Sequence, residues 1–128
     1  MYAETDFYLA LLKDDDWLKK NALRIYDQYK YEIWTSQMTI QELLLYTNKY
    51  KKDPVAILDS FYNITEDVRE VNMSQSFFLF STHIMSRYGA TPFDAMHAAA
   101  AQEDGTIISS DSIYDKIGLK RIKLEEKP

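Results

Sequence analysis

The chain has 128 residues, room for one domain and little more. Its 15 basic and 20 acidic residues leave a net charge of −5, which argues against a protein whose main task is wrapping nucleic-acid backbone. It has no cysteine, which excludes disulfides and thiolate metal sites and suits a reducing compartment.

Met1 to Thr5 reads as a brief opening strand without the basic and apolar stretches of a signal peptide. No apolar run approaches the ~18–20 residues that cross a bilayer, so a cytoplasmic protein without a membrane segment is expected. From Asp6, the apolar residues Phe7 and Leu9 to Leu12 predict a short helix that ends near Asp14-Asp15-Asp16. Trp17, Leu18, Ala22, Leu23, Ile25 and Tyr26 recur at helical spacing, with Asp16 as the expected N-cap. Ile33-Trp34-Thr35 is a compact strand, and a helix follows from about Thr39 to Tyr50. Pro54 suits the first turn of the next helix, and Val68 to Val71 is a weak third strand. Ser74 to Tyr88 is helical and stops at Gly89; Thr91-Pro92-Phe93-Asp94 opens an alanine-rich helix through Ala101. Thr106 to Ser109 is a strand, Ile113 to Ile117 a helical turn, and Leu119 to Leu124 an edge strand. There are no repeats or linkers, so residues 1–128 read as a single unit. Strands separated by helices predict an α/β fold with a mostly parallel sheet, whose ligand sites lie beyond the carboxyl ends of the strands.

Acidic residues fall at those ends. Asp6 follows the first strand, Glu42 lies at the start of the helix after the second, Asp94 opens the alanine-rich helix, and Asp111 follows the Thr106–Ser109 strand. In a parallel sheet with right-handed crossovers all four converge on one edge. Hard cations such as Mg²⁺ and Mn²⁺ take oxygen ligands, and two of them about 3.5–4 Å apart clamp a phosphodiester displacement. Without metal, gathered carboxylates raise one another's pKa values. The plainer reading is helix capping. Thr39-x-x-Glu42 fits a capping box, Thr91-x-x-Asp94 is a similar arrangement, and Asp6 and Asp111 fit ordinary N-caps.

Thr5-Asp6-Phe7, Thr39-x-x-Glu42-Leu43, Pro92-Phe93-Asp94-Ala95-x-His97-Ala98-Ala99 and Ser109-Ser110-Asp111 together resemble the signature of PIN domains, in the same order along almost the whole chain. The resemblance implies a three-layer α/β/α sandwich around a central, mostly parallel sheet of four or five strands. It implies Mg²⁺- or Mn²⁺-dependent cleavage of single-stranded or structured RNA, frequent homodimers, and in many small members the role of toxin in a VapBC-type pair silenced by an antitoxin protein. Asp6, Glu42, Asp94 and Asp111 would then be the metal-binding and catalytic carboxylates. Thr5, Ser109 and Ser110 would hydrogen-bond them, and Asp115 would be a further supporting acid or a solvent-facing residue of its turn.

His97 shares a helical face with Asp94; the oxygen preference of Mg²⁺ favours a packed, hydrogen-bonded histidine over a ligand. His83 reads as structural, and Phe77, Phe78, Phe80 and the tyrosines between Tyr26 and Tyr31 as core or dimer interface. Lys49, Lys51, Lys52 and Arg87 are candidates for phosphate contacts, weighed against a solvated charged face. Two alternatives remain beside the nuclease. One is a PIN-like RNA-binding or protein-interaction module without catalysis, which would be expected to have lost an acid. The other is a response-regulator or Rossmann-type domain, disfavoured by the lack of a glycine-rich phosphate loop after the first strand.

Overall fold

Tyr2 and Ala3 form the whole of the first strand, yet they face opposite ways, and each is fully buried in a different apolar cluster. Ile107 and Ile108 divide in the same manner. This period-two alternation with both faces apolar belongs to a parallel strand covered by helices on either side. The computed structural model describes residues 1–126 and has that architecture.

The strands are β1 (Tyr2–Ala3), β2 (Thr35–Ser36), β3 (Val68–Arg69), β4 (Thr106–Ser109) and β5 (Lys120–Lys123). β1, β4 and β5 pair in parallel in that order, and β2 pairs in parallel with β3. A parallel bridge between Tyr2 and Trp34 joins the two ladders, with Ala3 N–H donating to Trp34 O at 2.9 Å and Trp34 N–H to Met1 O at 3.0 Å. The result is one parallel sheet of order β3-β2-β1-β4-β5.

Among the described residues seven helices connect the strands: α1 (Thr5–Leu12), α2 (Lys19–Tyr29), α3 (Gln37–Tyr50), α4 (Pro54–Ile64), α5 (Gln75–Tyr88), α6 (Pro92–Ala101) and the short α7 (Ile113–Ile117). Phe7 and Ala10 of α1, Ala22 and Ile25 of α2 and Phe61 of α4 cover one face with Ala3 and Ile108. Ile84 of α5, Ala95, Ala98 and Ala101 of α6 and Tyr114 of α7 cover the other with Tyr2 and Ile107. The buried alanines of α6 let α5 lie closely along it. α3 divides its side chains, Met38 going to one cluster and Leu43 to the other. This is the three-layer sandwich expected from the sequence.

Strand β1 stops at Ala3 because α1 opens at Thr5, β2 is Thr35–Ser36 rather than Ile33–Thr35, and three further boundaries differ from expectation for a local reason. α2 opens at Lys19 rather than after Asp16, whose carboxylate accepts the Leu18 N–H at 2.8 Å and holds a turn ahead of the helix. α3 opens at Gln37, capped by Ser36 rather than Thr39; the Ser36 hydroxyl accepts the Met38 N–H. β3 stops at Arg69 because the Gln37 amide takes over the backbone of Val71, donating to its carbonyl at 2.7 Å and accepting its N–H at 2.8 Å. Gly89 ends α5 in the left-handed conformation at φ +71°, as its position predicts.

Candidate functional site

The carboxyl ends of β1, β2 and β4 lie side by side, and the chain turns there into α1, α3 and the loop before α7. Glu4, the first residue beyond β1, sends its carboxylate into the protein, where it is buried. The Tyr114 hydroxyl donates to Glu4 Oε2 at 2.5 Å and lies 3.3 Å from Asp94 Oδ1, so one phenol ties together two acids from opposite ends of the sequence. Burial, and then the neighbouring charges of Asp6 and Asp94, push the Glu4 carboxyl well above the usual carboxylate range. Glu4 was not among the residues singled out from the sequence. The signal available was its place as the first polar residue after the strand, one that Asp6 shares less directly.

Asp6 sits in the first turn of α1 but does not cap it. Its Oδ2 accepts the Ser110 N–H at 2.8 Å and the Ser110 hydroxyl at 2.5 Å, with Ser109 Oγ at 3.5 Å. Its Oδ1 is buried and has no hydrogen-bond partner. A buried carboxylate oxygen without a donor is costly, and here the Glu4 carboxyl, when protonated, is the neighbour that can supply one.

Glu42 lies in the second turn of α3, beyond capping range of Thr39. The capping-box reading therefore fails. Its Oε1 accepts from the Thr5 hydroxyl at 2.5 Å and is closely hydrogen-bonded to His97 Nε2. His97 is fully buried, and its Nδ1 meets the Tyr2 hydroxyl at 2.5 Å, which in turn meets Ser36 Oγ at 2.8 Å. A continuous buried chain thus runs from the cap of α3 through β1 and α6 to Glu42. Both ring nitrogens of His97 are occupied, the packed arrangement favoured for it on chemical grounds.

Asp94 is half-buried on α6, where Thr91 caps the helix by accepting its N–H at 3.4 Å. Burial pushes its carboxyl up, the charges of Asp111 and Glu42 add to the rise, and Thr91 and His97 oppose it. Asp111 is exposed and outside the cleft lining. Its Oδ1 accepts the Ile113 N–H at 2.9 Å, a local turn, and its own N–H donates to Ser109 Oγ at 2.9 Å. Asp115 does not join these acids. It is exposed and holds Arg121 bidentately, at 3.1 and 3.0 Å, because β5 brings the guanidinium alongside α7. That pairing removes the supporting-acid reading of Asp115.

Glu4, Asp6, Glu42 and Asp94 line one cleft of about 300 Å³, together with Thr5, Leu9, Leu45, Tyr46, Lys49 and Tyr50. Among the described residues, no three Asp, Glu or His side chains stand in metal-ligand geometry. The chemistry of the set nevertheless fits a hard divalent cation. The donors are oxygens, the carboxylates repel one another, and Asp6 Oδ1 accepts from no amide, hydroxyl or cationic group, its acidic neighbour being the Glu4 carboxyl. Of the basic candidates Lys49 lines this cleft, Lys52 lines the neighbouring hollow with Lys13 and Tyr46, and Arg87 lies apart beside α7. No helix among the described residues is long and apolar enough to cross a membrane.

The fold has close counterparts among solved structures. Mycobacterium tuberculosis VapC20, a sarcin-ricin loop cleaving toxin, is 16% identical and superposes with a TM-score of 0.78 over 95% of this chain and 98% of its own. A toxin–antitoxin complex from Klebsiella pneumoniae matches at 16% identity and TM-score 0.71 over 98% of both chains. VapBC2 from Rickettsia felis, bound to a DNA fragment from its promoter, matches at 15% identity and TM-score 0.71 over 95% and 96%. At these identities the likeness is one of fold. Comparison with curated protein sequences returns no match. The PIN domain family model matches residues 1–120, and the chain belongs to the PIN domain family.

Proposed function

We propose that this PIN domain is a divalent-metal-dependent endoribonuclease, the toxin member of a toxin–antitoxin pair that works in the cytoplasm. The observation that carries the reading is the convergence of Glu4, Asp6, Glu42 and Asp94 on one cleft, with the buried Asp6 Oδ1 unpaired. Asp6, Asp94 and Glu4 would hold Mg²⁺ or Mn²⁺, with Glu42 beside them and Asp111 at the rim. The ion would supply an activated water and neutralise charge at the leaving oxygen. The chain's own groups keep this edge in place. Ser109 and Ser110 fix Asp6, Thr5 and His97 fix Glu42, and Tyr114 spans Glu4 and Asp94. Lys49 sets a positive charge at the mouth for a phosphate.

Solved relatives of the same fold are toxins or toxin–antitoxin complexes, which supports an antitoxin partner for this chain. A second copy is a further expected partner, through the exposed Phe78, Leu79 and Phe80 of α5. One observation favours a non-catalytic module instead. Glu4 and Glu42 are already bound into buried hydrogen-bond networks, as structural acids are.

RNA cleavage and thermal unfolding, with and without Mn²⁺, separate the two for wild type and Asp94→Asn. The nuclease reading expects metal to stabilise wild type, and expects the variant to lose cleavage and metal response while staying at least as stable. A variant destabilised by about 1 kcal/mol, as disturbance of a helix terminus would give, with neither protein answering metal, establishes the module.

A further inference from the structure

The acidic cleft continues along α3 into a different kind of surface. Glu42, Tyr46 and Tyr50 follow at i, i+4 and i+8, so they form one stripe on the helix. The helical rise separates successive members by about 6 Å along the axis. The two tyrosine rings meet at a centroid distance of 4.9 Å and a tilt of 45°. Tyr46 is half-buried, and Tyr50 is 54% exposed although it lines the same cleft as the acids. Lys13 Nζ stands 5.5 Å from the Tyr46 ring centroid and Lys49 Nζ 5.3 Å from that of Tyr50.

Charge changes sign along this stripe. Its start lies among carboxylates; its end carries Lys49, and beyond it Lys51 and Lys52 line a neighbouring hollow with Leu44 and Asn48, none of the three in an ion pair among the described residues. A protein of net charge −5 that concentrates free ammoniums beside exposed aromatic rings, next to a cleft suited to cations, matches a polyanion with flat apolar groups. A peptide partner has no such need for cations and rings in alternation.

We propose that Tyr46 and Tyr50 form a stacking subsite for an unpaired nucleobase close to the scissile phosphate, with Lys49 holding an adjacent phosphate. The assignment rests on the nuclease reading and narrows it to single-stranded RNA, since only an unstacked base can lie on a side-chain ring. The stripe shares its helix with Glu42, so the subsite and the acids keep a fixed separation.

The test uses the full chain in Ca²⁺ and a short single-stranded RNA carrying 2-aminopurine, read by fluorescence before cleavage, with thermal unfolding to verify folding. Wild type should bind and quench the probe. Tyr50→Leu and Tyr46→Leu should each weaken binding roughly ten-fold and lose quenching, while Tyr50→Phe keeps both. The same sequence as a duplex should bind at least ten-fold more weakly. If folded Tyr50→Leu and Tyr46→Leu bind and quench like wild type, the subsite is refuted; a protein-docking face would give that result. Cleavage in Mn²⁺ tells the two readings apart. A wild type that cuts RNA, with unaffected tyrosine variants, refutes the subsite alone. A wild type that neither binds nor cuts RNA refutes both.

Discussion

Glu4→Gln tests the idea that the cleft is strained by its own carboxylates. Glu4 is buried, and burial first, then the charge of Asp6, push its carboxyl well above the usual carboxylate range. Between the unfolded and the folded value the native protein keeps a proton that the unfolded chain has released. Stability of the metal-free protein must therefore fall as pH rises through that window. One proton sets the steepest contribution, about 1.4 kcal/mol per pH unit. Asp94, also raised, adds a slope of the same sign. Glutamine preserves the shape, can accept from Tyr114, and offers an N–H close to Asp6. Urea unfolding in EDTA at successive pH values should show wild type losing stability above about pH 4.5, with the variant curve shallower by up to one proton's slope and lying above wild type at pH 7.5. Added Mn²⁺ should restore wild type at the alkaline end and leave the variant nearly unmoved. Parallel wild-type and variant curves, or a variant less stable than wild type at pH 7.5 in EDTA, would refute the reasoning.

Tyr114→Phe removes the hydroxyl that joins Glu4 to Asp94 and should cost about 1.5–3 kcal/mol in urea unfolding, the range for a hydrogen bond to an ionisable partner; it should also weaken Mn²⁺ binding by calorimetry. Ser36→Ala takes away the α3 cap and a partner of Tyr2 together, and should lower stability by about 1–2 kcal/mol. Asp115→Asn should leave RNA cleavage at the wild-type rate and move stability by about 1 kcal/mol or less, because the buried Arg121 guanidinium keeps Glu125 and the Ser109 carbonyl as partners.

Helix and strand order could be read from the sequence because apolar spacing is a local signal. Ser74, Pro92 and Gly89 each announce a helix end in a way that the next few residues confirm. The capping of α3 could not be assigned in the same way. Ser36 and Thr39 both suit an N-cap, and only the bonds of Ser36 to Tyr2 and Met38 decide between them. At the site, three acids that the motifs point to, Asp6, Glu42 and Asp94, line the cleft, whereas Asp111 is not among its lining residues. What spacing cannot reveal is pairing across the fold. Tyr114 reaches Glu4 over 110 positions, and His97 reaches Glu42 over 55. Asp115 left two readings open, a supporting acid or a solvent-facing residue, and its pairing favours the second. Its position one turn after Asp111 suggests a shared role, but the adjacent strand supplies Arg121 and turns it outward.

The placement of β1 at the centre of the sheet bears on when the protein becomes able to act. Its two residues are made roughly a hundred positions ahead of their β4 partners, Ile107 and Ile108. Thr5 waits for His97, and Asp6 and Glu4 wait longer than β1 does, for Ser110 and Tyr114. Pairings this distant in sequence close late, and synthesis at roughly 5–20 residues per second makes the wait a matter of seconds. The acidic cleft therefore lacks its supports until β4 and α7 have been made, and the proposed activity cannot begin before then.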